Sequence, residues 1–279
     1  LTIERDRSKK LIYINQIDYT DSILDRFNLS DIKPIDKLHK FVPDVNSESI
    51  DKNEMEQKIG SLQYLACRTR PDLAYIVGRL AQEIPNSTVN LRNAITNVFR
   101  YVKFSRGYSL VLGNVDKQPY VIFVDASHGQ ETKSRSRSGC IVKVFGSTIY
   151  WSSTIQEIQA LSTAETELNA LTFAVDQLSW LNPLIKEFGI NSKPTIMEDN
   201  QAVLSMLERP RNKKFKLRAD FVKDQLDRGE IYCLNYKPSK EQAADALTKV
   251  IGHVSGLLGL QDRSFIRRGM LVLTYWSTQ

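Results

Sequence analysis

The sequence predicts an α/β fold, a mixed five-stranded sheet flanked by helices and preceded by a mainly helical segment. The first observation behind this is a change of texture near residue 116. From there on, apolar and β-branched runs read as strands: YVIFVDAS (120–127), SGCIVKVFG (138–146), STIYWSS (147–153), PTIMED (194–199) and EIYCLNYK (230–237). The second is their order. Three strands precede a long helix that begins near Leu161, and the last two are separated by helices near 200–208 and 213–228. A meander followed by βα units gives a sheet of mixed direction with helices packed on it.

Before residue 116 the pattern is mainly helical after one short strand. YTDSILDRFNL (19–29) sets Ile23, Leu24 and Phe27 on one helical face. KPIDKLHKFVPDVNSES (33–49) has two prolines and no sustained period, which predicts an extended crossing segment. Residues 54–83 form a helix interrupted at Arg70-Pro71, and residues 88–105 a further helix along Leu91, Ile95, Val98, Tyr101 and Val102. The expected division is 1–115 mainly helical, 116–250 the sheet unit, and 251–279 a tail of unknown role.

Composition excludes several classes. With 42% hydrophobic and 25% charged residues the 279-residue chain is ordinary globular material, and no apolar run reaches membrane-spanning length. Its start, LTIERDRSKK, lacks the apolar centre of a signal peptide. Three widely spaced cysteines fit neither a disulfide framework nor a zinc site, so a reducing compartment is expected. The net charge of +6 favours a polyanionic partner, and the basic residues cluster in KSRSRS (133–138) and PRNKKFKLR (210–218). Such runs are also what a solvated surface looks like.

The acids are more informative. Asp125 ends the first strand of the sheet, Asp199 ends PTIMED, and Asp245 is the only acid among the small apolar residues of AADAL. Taken singly, Asp199 could cap the following helix and Asp245 could face solvent. Taken together, acids at the carboxyl ends of neighbouring strands fall in the crevice where α/β sheets bind ligands. Converging carboxylates repel unless cations intervene, and hard divalent ions such as Mg²⁺ take oxygen ligands. A pair of such ions about 4 Å apart can activate water and stabilise a leaving oxygen in phosphodiester cleavage. With three histidines in the chain, zinc or a Ser-His-Asp triad is disfavoured. A fourth acid could come from the helix in LSTAETELNALTFA (161–174), whose stripe is expected to be Leu161, Ala164, Leu168, Leu171, Val175 and Leu178. Glu165 and Glu167 point about 200° apart there, so one of them can serve such a site, and periodicity does not say which.

RSRSG, IYWSSTIQEIQALSTAETELNAL, the WL of SWLNPLIKEFG, EDNQA and QAADALTK follow one another at spacings that resemble the ribonuclease H domain of copia-type (pseudoviral) LTR-retrotransposon Pol polyproteins. INQIDYTDSILDRFNLSDIKP, GSLQYLACRTRPDLAYIVGRL and VFRYVKFSRGYSL resemble the region that links that family's polymerase, its reverse transcriptase, to the ribonuclease H, in the manner of a thumb or connection segment. The resemblance implies a ribonuclease H-like sheet and a metal-dependent endonuclease that hydrolyses the RNA strand of RNA/DNA hybrids with two Mg²⁺ ions, or Mn²⁺ as substitute. It implies Asp125, Glu167, Asp199 and Asp245 as both catalytic and metal-binding residues, with Glu167 chosen because ELNA matches the family's Glu-Leu-x-Ala element and Glu165 kept as the alternative. Lys133, Arg135, Arg137, Arg211, Lys213, Lys214, Lys216 and Arg218 become nucleic-acid contacts. The partners it implies are the hybrid and the polymerase portion of the same polyprotein, without a membrane, in the cytoplasm within a virus-like particle or in the nucleus.

Three features depart from the pattern. No YVDD-type polymerase motif occurs, no histidine lies between Asp199 and Asp245, and the family's Lys-His-Ile-Asp element stands here as KKFK. Slow turnover is expected. A catalytically weak or decayed fragment that binds nucleic acid or a polymerase partner is the alternative reading.

Overall fold

The chain is seen in a computed structural model that describes residues 1–44, 46–113, 116–208, 213–252 and 255–263, with the side chain of Lys214 left out. It opens with two strands, β1 (Thr2–Asp6) and β2 (Leu11–Asn15), where the sequence predicted one. Helices α1 (Ile17–Arg26), α2 (Asn53–Arg68), α3 (Ala74–Ala81) and α4 (Val89–Phe104) follow. The predicted break falls between α2 and α3, where Pro71 starts a single 3-10 turn and Arg70 takes a non-helical backbone, as a residue before proline must. The described part of the 33–49 crossing segment has neither helix nor strand.

A further strand of the first unit was not anticipated either. β3 (Tyr108–Gly113) pairs antiparallel with β2, and β9 (Leu260–Asp262) pairs with β3, closing a four-stranded antiparallel sheet β1-β2-β3-β9. YSLVLG directly follows a helix and is short, so its strand character needs β2 to express it. The segment after 250 therefore returns to the first sheet, with Leu258 and Leu260 buried. Residues 264–279 lie outside the described residues.

The second sheet is the mixed five-stranded one expected. Its strands are β4 (Tyr120–Ser127), β5 (Arg137–Val144), β6 (Ser147–Ile155), β7 (Thr195–Glu198) and β8 (Cys233–Tyr236). They lie in the order β6-β5-β4-β7-β8, antiparallel as far as β4 and parallel from β4 to β8. The parallel steps require crossovers, and α5 (Thr163–Glu187), α6 (Gln201–Glu208) and α7 (Lys213–Asp227) provide them. The stripe of α5 begins later than predicted. Leu161 precedes the helix and is exposed, because Ser162 caps α5 by accepting from the Glu165 N–H at 3.2 Å.

Strand alternation decides which core each residue joins. On β4, Tyr120, Ile122 and Val124 pack with α5, α6 and α7, while Phe123 faces the opposite side. There it meets Ile141, Ala243, Ala246 and Leu247, together with Leu110 of β3, Leu258 and Leu260, in a cluster that joins the two sheets. Trp151 of β6 crosses the same junction, its Nε1 donating to the Ala66 carbonyl at 2.8 Å. A separate core, including Leu62, Leu65, Leu80, Leu91 and Phe99, holds α1 to α4 together.

Candidate active site

Asp125 lies on the same face of β4 as Phe123, so it points toward the chain that carries Asp245. That chain is the 3-10 helix Ala243–Leu247, pressed against the ends of β4 and β5. Two features bring it so close. Gln242 donates through Nε2 to the carbonyls of Val124 (2.9 Å) and Met197 (3.2 Å), tying the turn to the ends of both β4 and β7. Gly139, directly opposite Asp125 in the β4–β5 register, leaves the space that a side chain would fill. A Cβ there would come within 2.9 Å of the Ala244 carbonyl oxygen and of Thr248 Cγ2. The glycine of RSRSG is thus a close-approach glycine.

Carboxylate oxygens of Asp125, Asp199 and Asp245 all lie within 4.8 Å of one another. Asp125 and Asp245 are buried and Asp199 is half-buried, so the solvent-facing alternative for Asp245 does not hold. Nor does Asp199 cap α6. The Asn200 side chain does that by accepting from the Ala202 N–H at 2.9 Å, while Asp199 accepts from the Ser239 hydroxyl at 2.6 Å. Thr248 donates its hydroxyl to Asp125 Oδ2, and Lys249 pairs with Asp245 Oδ2 at 2.8 Å.

Both helix glutamates are buried, with different partners. Glu165 accepts from the Leu161 N–H at 3.0 Å and faces Arg218 at 3.7 Å. Glu167 turns to the acids: burial first, then repulsion from Glu198, Asp125 and Asp199, pushes its carboxyl up to about 10, against a hydrogen bond from the Ala126 N–H. Burial also pushes Asp125 up to about 7, opposed by the Thr248 hydroxyl and reinforced by Asp245. Asp245 is raised too, burial outweighing the Lys249 ammonium.

Glu198 escaped the sequence reading. It is fully buried, and burial followed by the charges of Asp199 and Asp125 raises it to about 8 despite a hydrogen bond from the Asn200 N–H. Strand parity in PTIMED carried the signal: Glu198 shares the face of Ile196, which packs toward α5, and so lies beside Glu167.

The acids accept all-oxygen coordination, and their own hydrogen bonds do not satisfy them. Asp245 Oδ1, Glu167 Oε2 and Glu198 Oε2 are buried without a hydrogen-bond partner. Orphaned anionic oxygens at this density are costly unless protons or cations reach them. A hard divalent ion fits this donor set.

The predicted basic contacts divide. Lys133 and Arg135 are exposed in the β4–β5 loop, at the Asp125 end of the sheet. Lys213 and Lys216 are exposed at the start of α7, and Arg218 is partly buried beside Glu165. Arg137 must be corrected as a nucleic-acid contact. It is fully buried, its Nε and Nη2 donating to the two oxygens of Glu131 at 2.7 and 3.1 Å and its Nη1 to Ser153. In KSRSRS, Arg137 opens β5 and is buried, whereas Arg135 stays in the loop before the strand and is exposed. Arg211 and the side chain of Lys214 lie outside the described residues.

No protein-family model matches the chain. It is similar to the retrovirus-related Pol polyprotein from transposon TNT 1-94 of Nicotiana tabacum, 27% identical over 268 residues, covering 90% of this chain and 20% of the relative. It is similar also to that from transposon RE2 of Arabidopsis thaliana, 30% identical over 266 residues, covering 91% and 18%. The chain thus spans about a fifth of the length of the curated relatives it matches. Among solved structures, LC11-RNase H1 in complex with RNA/DNA hybrid is 16% identical, with coverage of 46% of this chain and 92% of that one and a TM-score of 0.38.

Proposed function

Because the chain is homologous over about 90% of its length to Pol polyproteins of copia-type transposons, we propose that it is their ribonuclease H portion with the segment that joins it to the polymerase. Its reaction is hydrolysis of the RNA strand of an RNA/DNA hybrid. The observation that carries this reading is the meeting of Asp125, Asp199 and Asp245 within 4.8 Å, with Glu167 facing them and orphaned carboxylate oxygens between.

Asp125, Glu167, Asp199 and Asp245 would hold two Mg²⁺ ions, with Mn²⁺ as substitute. Bound there, the ions supply an activated water and charge stabilisation at the scissile phosphate. The chain's own residues prepare the site. Gln242 and Gly139 fix the height of the 243–247 turn against the strands, and the Thr248 hydroxyl fixes the Asp125 carboxylate. Lys133, Arg135, Lys213 and Lys216 bind backbone phosphates, and the hybrid is told from duplex DNA by its 2′-hydroxyls. The polymerase portion of the same polyprotein is the protein partner, and the reaction belongs to reverse transcription in a cytoplasmic particle or the nucleus.

A labelled hybrid and the matching DNA duplex, each with Mg²⁺ or Mn²⁺, test the proposal. The wild type should cut the hybrid and spare the duplex, Asp125→Asn should lower the rate by at least about 100-fold, and Glu165→Gln should still cut. Equal cutting by wild type and Asp125→Asn would sink the assignment. The absence of a histidine between Asp199 and Asp245 favours a second reading, a hybrid binder that cuts poorly. Hybrid binding without cleavage at any divalent ion would select it.

A further inference from the structure

Resting on that reading, a set of buried and half-buried contacts outside the acidic cluster has a use of its own. The β4–β5 loop carries Lys133 and Arg135 at its tip, both exposed and neither in an ion pair among the described residues. At the tip, Lys133 and Ser134 adopt left-handed backbone, with φ of 60° and 54°. Two consecutive non-glycine residues in that region cost on the order of 1–3 kcal/mol each and persist only where surrounding structure imposes them.

What imposes them is helix α3 with the turn that follows it, Gln82 and Glu83, from the other unit of the chain. Thr132 donates its hydroxyl to Glu83 Oε1 at 2.8 Å, and Arg79 Nη1 donates to both Glu83 (2.6 Å) and Thr132 (3.2 Å). One residue earlier, Glu131 accepts from Gln82 Nε2 at 2.5 Å and from Arg137, and its N–H donates to the Arg135 carbonyl at 3.0 Å. Gly78 gives Arg137 room to lie on the helix, since a Cβ would meet Nη1 at 3.2 Å, and Tyr75 stacks near the guanidinium at 5.4 Å. Tyr75, Gly78 and Arg79, with Gln82 at the C-cap, are spaced three and four apart along one side, so one face of α3 and its end is given over to the loop.

We propose that α3 positions the Thr132–Arg135 tip so that Lys133 and Arg135 meet substrate phosphates, with Gln82, Glu83 and Thr132 as positioning residues. The geometry makes the helical unit part of the nuclease's substrate grip. Buried ion pairs are weak evidence for stability but can fix a conformation, and here the conformation fixed is that of the loop tip that carries the two cations.

The test uses the full chain. Binding of a fluorescent hybrid is followed in EDTA across a salt series, and KM and kcat are measured with Mg²⁺. Thr132→Val and Gln82→Leu should flatten the salt slope of binding by about 1–2, the loss of one or two phosphate contacts. They should match the Lys133→Ala/Arg135→Ala double variant, raise KM and leave kcat unchanged. Thr132→Ser, which keeps the hydroxyl, should restore the wild-type slope. A wild-type slope and KM in Thr132→Val and Gln82→Leu, with only a lower melting temperature, would reduce the network to a structural tie and overturn the proposal. So would wild-type binding by the double variant. A wild-type chain that binds with a steep salt slope but never cuts defeats the proposed function alone, since the binding series still reads the positioning; one that binds no hybrid defeats both.

Discussion

Two regions of this chain bury charge, and they treat it in opposite ways. In the helical unit, Arg70 and Asp72 form a bidentate pair, joined by the Tyr101 hydroxyl on Asp72 and the Ser105 hydroxyl and carbonyl on Arg70. Burial works against the Arg70 charge, and the Asp72 carboxylate more than offsets it, so the guanidinium stays protonated. At the carboxyl ends of β4 and β7, five acids gather with Lys249 as their close cation, and three oxygens have no hydrogen-bond partner. The first region is complete in itself. The second is not, since its orphaned oxygens lack hydrogen-bond partners among the described residues, as the proposed metal site requires.

Removing one partner from the complete region should have the largest effect. Asp72→Ala leaves a buried, unpaired Arg70 and should destabilise the full chain by about 3–5 kcal/mol, read as a lower urea midpoint at unchanged m-value. In the acidic region the same kind of change should have the opposite sign, because Asp125→Asn removes repulsion. In EDTA at pH 8 it should raise the melting temperature, and Mg²⁺ should raise that of wild type while leaving the variant's nearly unmoved.

The pH dependence follows from the same acids. A carboxyl whose folded pKa is raised holds its proton more tightly when folded, so its stabilisation is full below the unfolded value of about 4. It is lost as pH climbs through the folded values, about 7 for Asp125, about 8 for Glu198 and about 10 for Glu167. The melting temperature in EDTA should therefore fall between pH 5 and 9, and less steeply in Asp125→Asn; a flat profile would mean the acids are not buried together. The smallest effect belongs to a pair that is neither buried nor catalytic. Asp21→Ala, at the half-exposed Arg106–Asp21 bridge, should cost under about 1 kcal/mol and vanish in high salt.

Much of this was legible in advance. β4 runs over the residues its apolar run named, and the meander followed by βα units gave the mixed sheet, because both signals are local and repeat at the strand or helix period. β3 was missed because YSLVLG is a strand only through its pairing with β2 and β9, one of them nearly 150 residues away. In the site, Asp125 and Asp199 could be expected to meet from their strand ends, while Asp245 comes from a 3-10 turn that packing brings to them. Glu198 was passed over in favour of its neighbour, although the parity of PTIMED separates their faces. Arg137 was misread for a related reason: its charge suggested surface, and only the buried Glu131 beside it makes the interior tolerable.

The sequence by itself determined the periodicities, hence the helices, the strands of the second sheet and the acids at their ends. Periodicity left Glu165 and Glu167 as an unresolved pair on one helix, and the resemblance of ELNA chose Glu167. The tertiary structure separated them by what stands opposite each: Arg218 against Glu165, and the Ala126 N–H with a crowd of carboxylates against Glu167. Helical spacing fixes the angle between two side chains and nothing about the surface each one meets, since that surface is brought in from distant chain by packing.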